Sequence, residues 1–296
     1  MSRNSLTSFN LDRSKPVLLA GPTASGKSAL ALELARDQGR MIVNADALQV
    51  YGCWRVLTAR PSLAEEKQAP HALYGHVAQH VPYSVGDWLR ELAPLLDARP
   101  GPIIVGGTGL YFRALTEGLA EIPPISPQTR ARAEARKAVA GLSGLVAELD
   151  AETSAKIDLQ NPMRVQRAWE VLHQTGQGLA AWQRQTPPPL LPLKACAAFL
   201  LDAPPAWLNP RIEQRFDLML EGGALAEAQV ILPEWDAALA AAKAIGAAEL
   251  IAHLQGTLTL DQARAAAVIA TRQYAKRQRT WFRARMAGWQ KISAQR

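Results

Sequence analysis

Short apolar runs that end in glycine or polar residues alternate with segments of helical period over the first 118 residues. Pro16-Val17-Leu18-Leu19-Ala20 is continuous and apolar up to Gly21, the pattern of a strand buried on both faces. Gly26 to Arg36 puts Leu30 and Leu34 on one side of a helix. Met41-Ile42-Val43-Asn44 predicts a second strand that ends at Asp46. Pro102-Ile103-Ile104-Val105 predicts a third, running into Gly106-Gly107-Thr108-Gly109 with a helix from about Leu110. Strands alternating with helices predict a parallel α/β sheet, whose ligand sites lie beyond the carboxyl ends of the strands. All three predicted strand ends carry glycine or polar residues.

The pattern changes after Gly118. Pro123, Pro124 and Pro127 interrupt the chain, Gln128 to Gln183 is almost entirely helix-forming, and Pro187-Pro188-Pro189 closes the segment. Cys196 to Leu201 then predicts another buried strand, and from Pro210 onward the pattern is helical. The expected organisation is an α/β core of residues 1–122 and 191–296 with an all-helical insertion over 123–190. There is no internal repeat.

Composition narrows this further. A chain of 296 residues with 48% hydrophobic positions can bury a real core, and 6% aromatics favours helices built on Ala and Leu. No apolar run approaches the ~18 residues a membrane span needs, and the polar start lacks a secretory signal, so a cytoplasmic protein is expected. Cys53 and Cys196 make neither a disulfide framework nor a zinc site. The five histidines show no metal-ligand spacing.

Gly21-Pro22-Thr23-Ala24-Ser25-Gly26-Lys27-Ser28 fits G-x-x-x-x-G-K-[ST] between a predicted strand and a predicted helix. In such a P-loop, backbone N–H groups surround phosphate oxygens, Lys27 adds a point charge, and the Ser28 hydroxyl ligates magnesium. The loop by itself does not separate an ATPase, a small-molecule kinase and a transferase with a diphosphate leaving group. Asp46, at the next strand end, suits a general base or an indirect magnesium ligand, but equally a helix or turn cap. Gly106 to Gly109 allows close approach of a ligand, as do many structural turns. Arg215 suits either a helix surface or a diphosphate clamp.

The net charge of +7 is located at one end. Residues 261–296 hold nine Lys or Arg and one acid, Asp261, so the remainder of the chain is close to neutral. On a helix, Arg272, Lys276, Arg279 and Arg283 fall in one stripe of about 60°, with Tyr274, Trp281, Phe282 and Trp289 opposite. A basic ridge over a packed aromatic face predicts contact with a polyanion backbone.

Taken together, these segments resemble the bacterial tRNA dimethylallyltransferase family. The resemblance runs over nearly the whole chain. It rests on GPTASGKS at 21–28, NADALQVY at 44–51, TARP at 58–61, GGTGLYFRAL at 106–115 and NPMRVQRAWEVLHQTG at 161–176. Further on it includes RIEQRF at 211–216, AIG at 244–246 and TRQYAKRQRTWFR at 271–283. It implies a P-loop nucleoside-triphosphate-hydrolase-like parallel sheet flanked by helices, with an all-helical insertion domain. It implies that Thr23 to Ser28 hold the diphosphate of dimethylallyl diphosphate together with Mg2+, and that Arg215 helps to neutralise the leaving group. Asp46 corresponds to the base that deprotonates the N6 amine of the adenosine 3′ of the anticodon, and Thr108 to a residue beside that base. Asp46, Ala47, Leu48 and Gln49, Arg130, and Gln160, Asn161, Pro162, Met163 and Arg164 correspond to tRNA-contacting positions. The sequence departs from the family pattern at Ala247-Ala248, at Gly52-Cys53-Trp54-Arg55, and at Asn161, where an acid is more common. The implied protein is a monomer with no protein partner.

Two rivals use the same P-loop: a free-nucleotide isopentenyltransferase and a small-molecule kinase, for which Arg130, Arg132 and Arg136 would serve as lid residues. The basic ridge and the insertion favour tRNA, since a free nucleotide needs neither.

Overall fold

The computed structural model describes residues 11–294. The chain divides into two compact units, one comprising residues up to Thr116 together with those from Leu190 onward, the other Glu117–Pro189.

In the larger unit six strands form one sheet: β1 (Val17–Ala20), β2 (Ile42–Asn44), β3 (His71–Ala72), β4 (Ile103–Gly106), β5 (Ala197–Asp202) and β6 (Gln290–Ser293). Their order is β3-β2-β4-β1-β5-β6, and every pairing is parallel. Among the described residues four α-helices precede the insertion: α1 (Lys27–Gln38), α2 (Leu63–Glu66), α3 (Val85–Leu92) and α4 (Gly109–Glu117). The smaller unit holds α5 (Pro127–Ala147), α6 (Ala151–Lys156), α7 (Pro162–Thr175) and α8 (Leu179–Arg184). After it come α9 (Pro205–Glu221), α10 (Ala224–Ile231), α11 (Ala247–Leu254) and α12 (Leu260–Arg285). This is the α/β sheet flanked by helices that the sequence pattern predicts.

The two-residue period of a strand sorts the side chains of β1 to opposite faces. Val17 and Leu19 join Leu30, Leu34 and Phe199 on one side, while Leu18 and Ala20 join Trp88, Phe112 and Trp289 on the other. Both faces are covered, which is why the strands read as unbroken apolar runs. The smaller unit has its own core of Ala133, Leu145, Val165 and Trp169. Its flanks are fixed within the larger unit, where the Leu191 N–H donates to the Leu115 carbonyl at 3.1 Å.

Three features differ from the sequence pattern. Between Tyr51 and Pro102, which the apolar pattern does not assign, the chain forms α2, β3 and α3. Helix α9 starts at Pro205, not Pro210; Pro210 lies inside it and sacrifices one backbone donor. The C-terminal region is not wholly helical, because α12 stops at Arg285 and residues 290–293 add β6 beside β5. Trp289 therefore is not part of the helix face; it is buried edge-on against Phe112, ring centroids 5.3 Å apart. No helix among the described residues is long and apolar enough to cross a membrane.

Candidate active site at the carboxyl ends of the strands

The register Val17↔Ile103 through Ala20↔Gly106, with Asn44↔Val105, ends β1, β2 and β4 at one level. The P-loop, Asp46 and the Gly106–Gly109 turn consequently emerge side by side. The β2 and β4 ends are very close. Ala45 donates its N–H to Val105 O at 2.8 Å and accepts that of Thr108 at 3.3 Å. A Cβ on Gly106 would lie 2.0 Å from Ala45 O, so only glycine fits there.

The P-loop curls through left-handed backbone at Ala24 (φ 60°) and Gly26 (φ 86°). Gly26 caps α1 and has no side chain to accept the first-turn N–H groups, which leaves that helix end open to an anion. The Thr23 N–H is already committed: it donates to Gln278 Oε1 at 2.8 Å. Ser25 N–H donates to Pro22 O at 3.2 Å, and the buried Ser25 hydroxyl has no partner among the described residues.

Thr23, Lys27, Ser28, Asp46, Leu48 and Gln49 line one cleft with Arg215, Phe216 and Tyr274. Leu57, Ile212, Met219 and Ile245 extend its apolar wall. Arg215 comes from α9, and on the outer side of the P-loop Arg211 Nε donates to Ala24 O at 3.1 Å while its guanidinium lies 4.3 Å from the Trp207 ring centroid. Burial, aided by Arg215 and opposed by Asp46, brings the Lys27 ammonium down to about 8. Burial also lowers Arg215, with Asp46 again opposing. The cleft therefore concentrates cations at the phosphate loop, with one carboxylate near.

Asp46 is held from several sides. Its N–H donates to Asn44 Oδ1 at 2.8 Å, and its Oδ1 accepts the Leu48 N–H at 3.0 Å. Oδ2 has no hydrogen-bond partner among the described residues and so is available to take a proton. Asn44, fully buried, anchors this turn through Nδ2 to Asp46 O and Leu73 O. Thr108 Oγ1 accepts the Ala47 N–H at 3.0 Å. Gln49 Nε2 donates to Thr58 O at 2.8 Å, so it braces the 58–61 turn.

Helix α12 contributes more than a basic ridge. Tyr274 is not simply packed away; it lines the cleft beside Thr108 and Gln278, and is held protonated by burial and by Asp46. Gln278 is buried between the P-loop and Gly107. Trp281 lies against Gly109, where a Cβ would come within 2.2 Å of its ring. On the outer face Arg272 is ion-paired with Glu213 of α9, while Lys276 and Arg283 are exposed and Arg279 is half-buried. Arg264 makes a second pair, to Asp217, with Nη2–Oδ2 2.7 Å. Gln278 and Asn44 went unread in the sequence as site residues, because each acts on a partner remote in the chain or through a buried amide.

In the smaller unit Arg130 is exposed on the first turn of α5, and Gln160 is exposed ahead of α7. Asn161 caps α7 by accepting the Arg164 N–H at 3.2 Å, which an acid would also do. Pro162, Met163 and Arg164 are exposed on that first turn, Met163 at 75%.

Among the described residues no three His, Cys, Asp or Glu are grouped so that they could hold a metal ion. The oxygen donors in the cleft, Ser28 and Asp46, nevertheless fit a hard cation such as Mg2+ that keeps its waters and is held largely by phosphate oxygens.

Sheet order, open P-loop and flanking cations define a P-loop α/β protein with a phosphate-binding cleft. A model of the IPP transferase family matches residues 49–285, and one of the isopentenyl transferase family matches 15–73. The chain belongs to the IPP transferase family. It is 64% identical over 94% of its length to a tRNA dimethylallyltransferase of Cereibacter sphaeroides, covering 88% of that protein. It is 63% identical to one of Dinoroseobacter shibae, covering 94% of this chain and 95% of that one. Among solved structures it resembles the tRNA isopentenylpyrophosphate transferase of Bacillus halodurans (28% identity, TM-score 0.67, 95% and 90% of the chains). It also resembles a eukaryotic dimethylallyltransferase acting on tRNA (25% identity, TM-score 0.80, 95% and 74% of the chains).

Proposed function

We propose that this enzyme transfers the dimethylallyl group of dimethylallyl diphosphate to the N6 amine of the adenosine 3′ of the anticodon in tRNA, releasing diphosphate. The observation that carries this reading is a single cleft in which the P-loop cations give directly onto an apolar wall of Leu48, Leu57, Ile212, Phe216, Met219 and Ile245. A diphosphate at one end and a short branched hydrocarbon at the other match that lining; an NTP's ribose and base do not.

In the reaction, the adenine N6 attacks C1 of the allyl group, the C1–O bond breaks, and its electron pair leaves with the diphosphate. Lys27, Arg215 and the open end of α1 hold the charge that grows on the departing oxygen, which is where preorganised cations lower a barrier most. Asp46 Oδ2 takes the proton from N6, while Oδ1 stays on the Leu48 N–H and keeps the carboxylate aimed. Thr23, whose backbone N–H is committed to Gln278, has its hydroxyl left for the diphosphate. Mg2+, when bound by Ser28 and diphosphate oxygens, supplies further charge neutralisation for the leaving group. Thr108 sets the turn after Asp46 and so the place of the acceptor base. An adenine has to leave its stack to reach such a pocket. The tRNA contacts are assigned to Asp46–Gln49, Arg130, Gln160–Arg164 and the outer face of α12.

The test is a paired assay with the same preparation. Prenyl transfer from dimethylallyl diphosphate to an anticodon stem-loop is expected, with no phosphoryl transfer from ATP. Phosphoryl transfer without prenylation would overturn the reading in favour of a kinase.

A further inference from the structure

Gln278 is a neutral side chain, 6% exposed, at the centre of the α12 segment that crosses the strand ends. Its Oε1 accepts the Thr23 N–H at 2.8 Å and its Nε2 donates to Gly107 O at 2.9 Å. One amide thus ties the first turn of the phosphate loop to the glycine turn beyond β4. That turn in its own right is tied to the base-bearing turn, because Thr108 accepts the Ala47 N–H and donates its own N–H to Ala45 O. Tyr274, one helical turn before Gln278, lies close enough to Gln278 and Thr108 for both to act on its hydroxyl. Space is tight: a Cβ on Gly107 would sit 2.3 Å from Gln278 Nε2 and 3.4 Å from Asp46 Oδ2.

We propose that Gln278 is a positioning residue for the transfer, setting the separation between the diphosphate loop and the Asp46 turn. It touches no reacting atom. Only an amide of this length offers an acceptor to one loop and a donor to the other without a charge beside the diphosphate. A carboxylate here would satisfy Thr23 but repel Gly107 O and the leaving group; a hydrocarbon would leave a buried N–H and a buried carbonyl unpaired. The inference rests on the prenyl-transfer reading above.

The conservative change Gln278→Glu separates positioning from mere packing. Its carboxyl, when protonated, can donate to Gly107 O as the amide does; when ionised it cannot. The charged and titratable groups around this network are Tyr274 and Arg277 on the same helix and Asp46 beyond β2, with Lys27 facing Asp46 in turn. They are present in wild type and variant alike, so the ratio of the two kcat values isolates position 278. The ratio is expected to rise as pH is lowered from about 9 to about 6, by up to about tenfold per unit while the carboxyl remains ionised. In Gln278→Leu, both kcat and the affinity for inorganic diphosphate are expected to fall, each by about tenfold or more, in protein that still melts cooperatively. A flat kcat ratio across pH, with inorganic diphosphate bound normally by both variants, would overturn the proposal and leave Gln278 a packing residue. Should the wild-type enzyme transfer no prenyl group, the functional reading fails, and the diphosphate affinities alone then decide Gln278.

Discussion

Lys27 at the start of α1 and Arg215 on α9 bring two cations to one cleft, and the guanidinium adds to burial in bringing the Lys27 ammonium down to about 8. The ordinary value is 10.5. Between the two, the unfolded chain binds more protons than the folded one, so this group makes the ligand-free protein more stable as pH rises through that window. A bound anion reverses the preference by restoring the charge. Affinity for inorganic diphosphate should therefore fall as pH rises above about 8. Titration calorimetry in two buffers of different ionisation enthalpy should show proton uptake on binding. Lys27→Arg, which stays charged, should remove its share of that uptake.

Asp46→Asn keeps an oxygen for the Leu48 N–H and removes the basic one. Its kcat for prenyl transfer should fall by roughly 10² to 10⁴ while inorganic diphosphate still binds. Asp46→Ala should do the same with an added loss of order in the 46–48 turn. Near wild-type turnover at saturating substrates in Asp46→Asn would show that the proton goes elsewhere.

Salt dependence tests the outer face of α12. Removing Lys276, Arg279 or Arg283 singly should lower the slope of log K for an anticodon stem-loop against log salt by somewhat under about one unit each. Arg272→Ala should change it less, because that guanidinium already has Glu213 as partner. Sequence preference and diphosphate affinity should not move. Unchanged slopes in the triple variant would make the face a solvated surface.

Glu227 accepts three successive backbone N–H groups, those of Arg55, Val56 and Leu57, at 2.7 to 3.0 Å. Leu57 in turn lines the cleft. Glu227→Ala strands these donors and should cost about 1–3 kcal/mol, read as a lower Tm and denaturation midpoint. KM for dimethylallyl diphosphate should rise as the Leu57 wall loosens. A Tm within error of wild type would mean water replaces the carboxylate at no cost.

What could be read from sequence was what repeats locally or announces itself by residue type. Apolar runs marked β1, β2, β4 and β5, and the glycine-lysine spacing marked the loop. Strand β6 was illegible because it is an edge strand in which Ile292 alone is buried, so no apolar run forms. For the same reason the helical period of α12 runs on in the sequence to Trp289, past the end of the helix at Arg285. Gln278 looks like any helical glutamine until Thr23, 255 positions away, is seen against it. Asn44 sits in a recognisable motif, yet its grip on Leu73 O depends on β3, a strand of two residues.

The hydrogen bond from Leu191 to Leu115 has a consequence for how such a chain can change. The points where the chain departs for the smaller unit and comes back are joined before it departs, so the closure of that long excursion is settled inside the sheet-bearing body. Insertions, deletions or a wholesale exchange between those two points alter a loop already closed at its neck, for which added length costs little. The excursion can thus be remodelled in length and sequence while the phosphate loop of the larger unit is inherited intact.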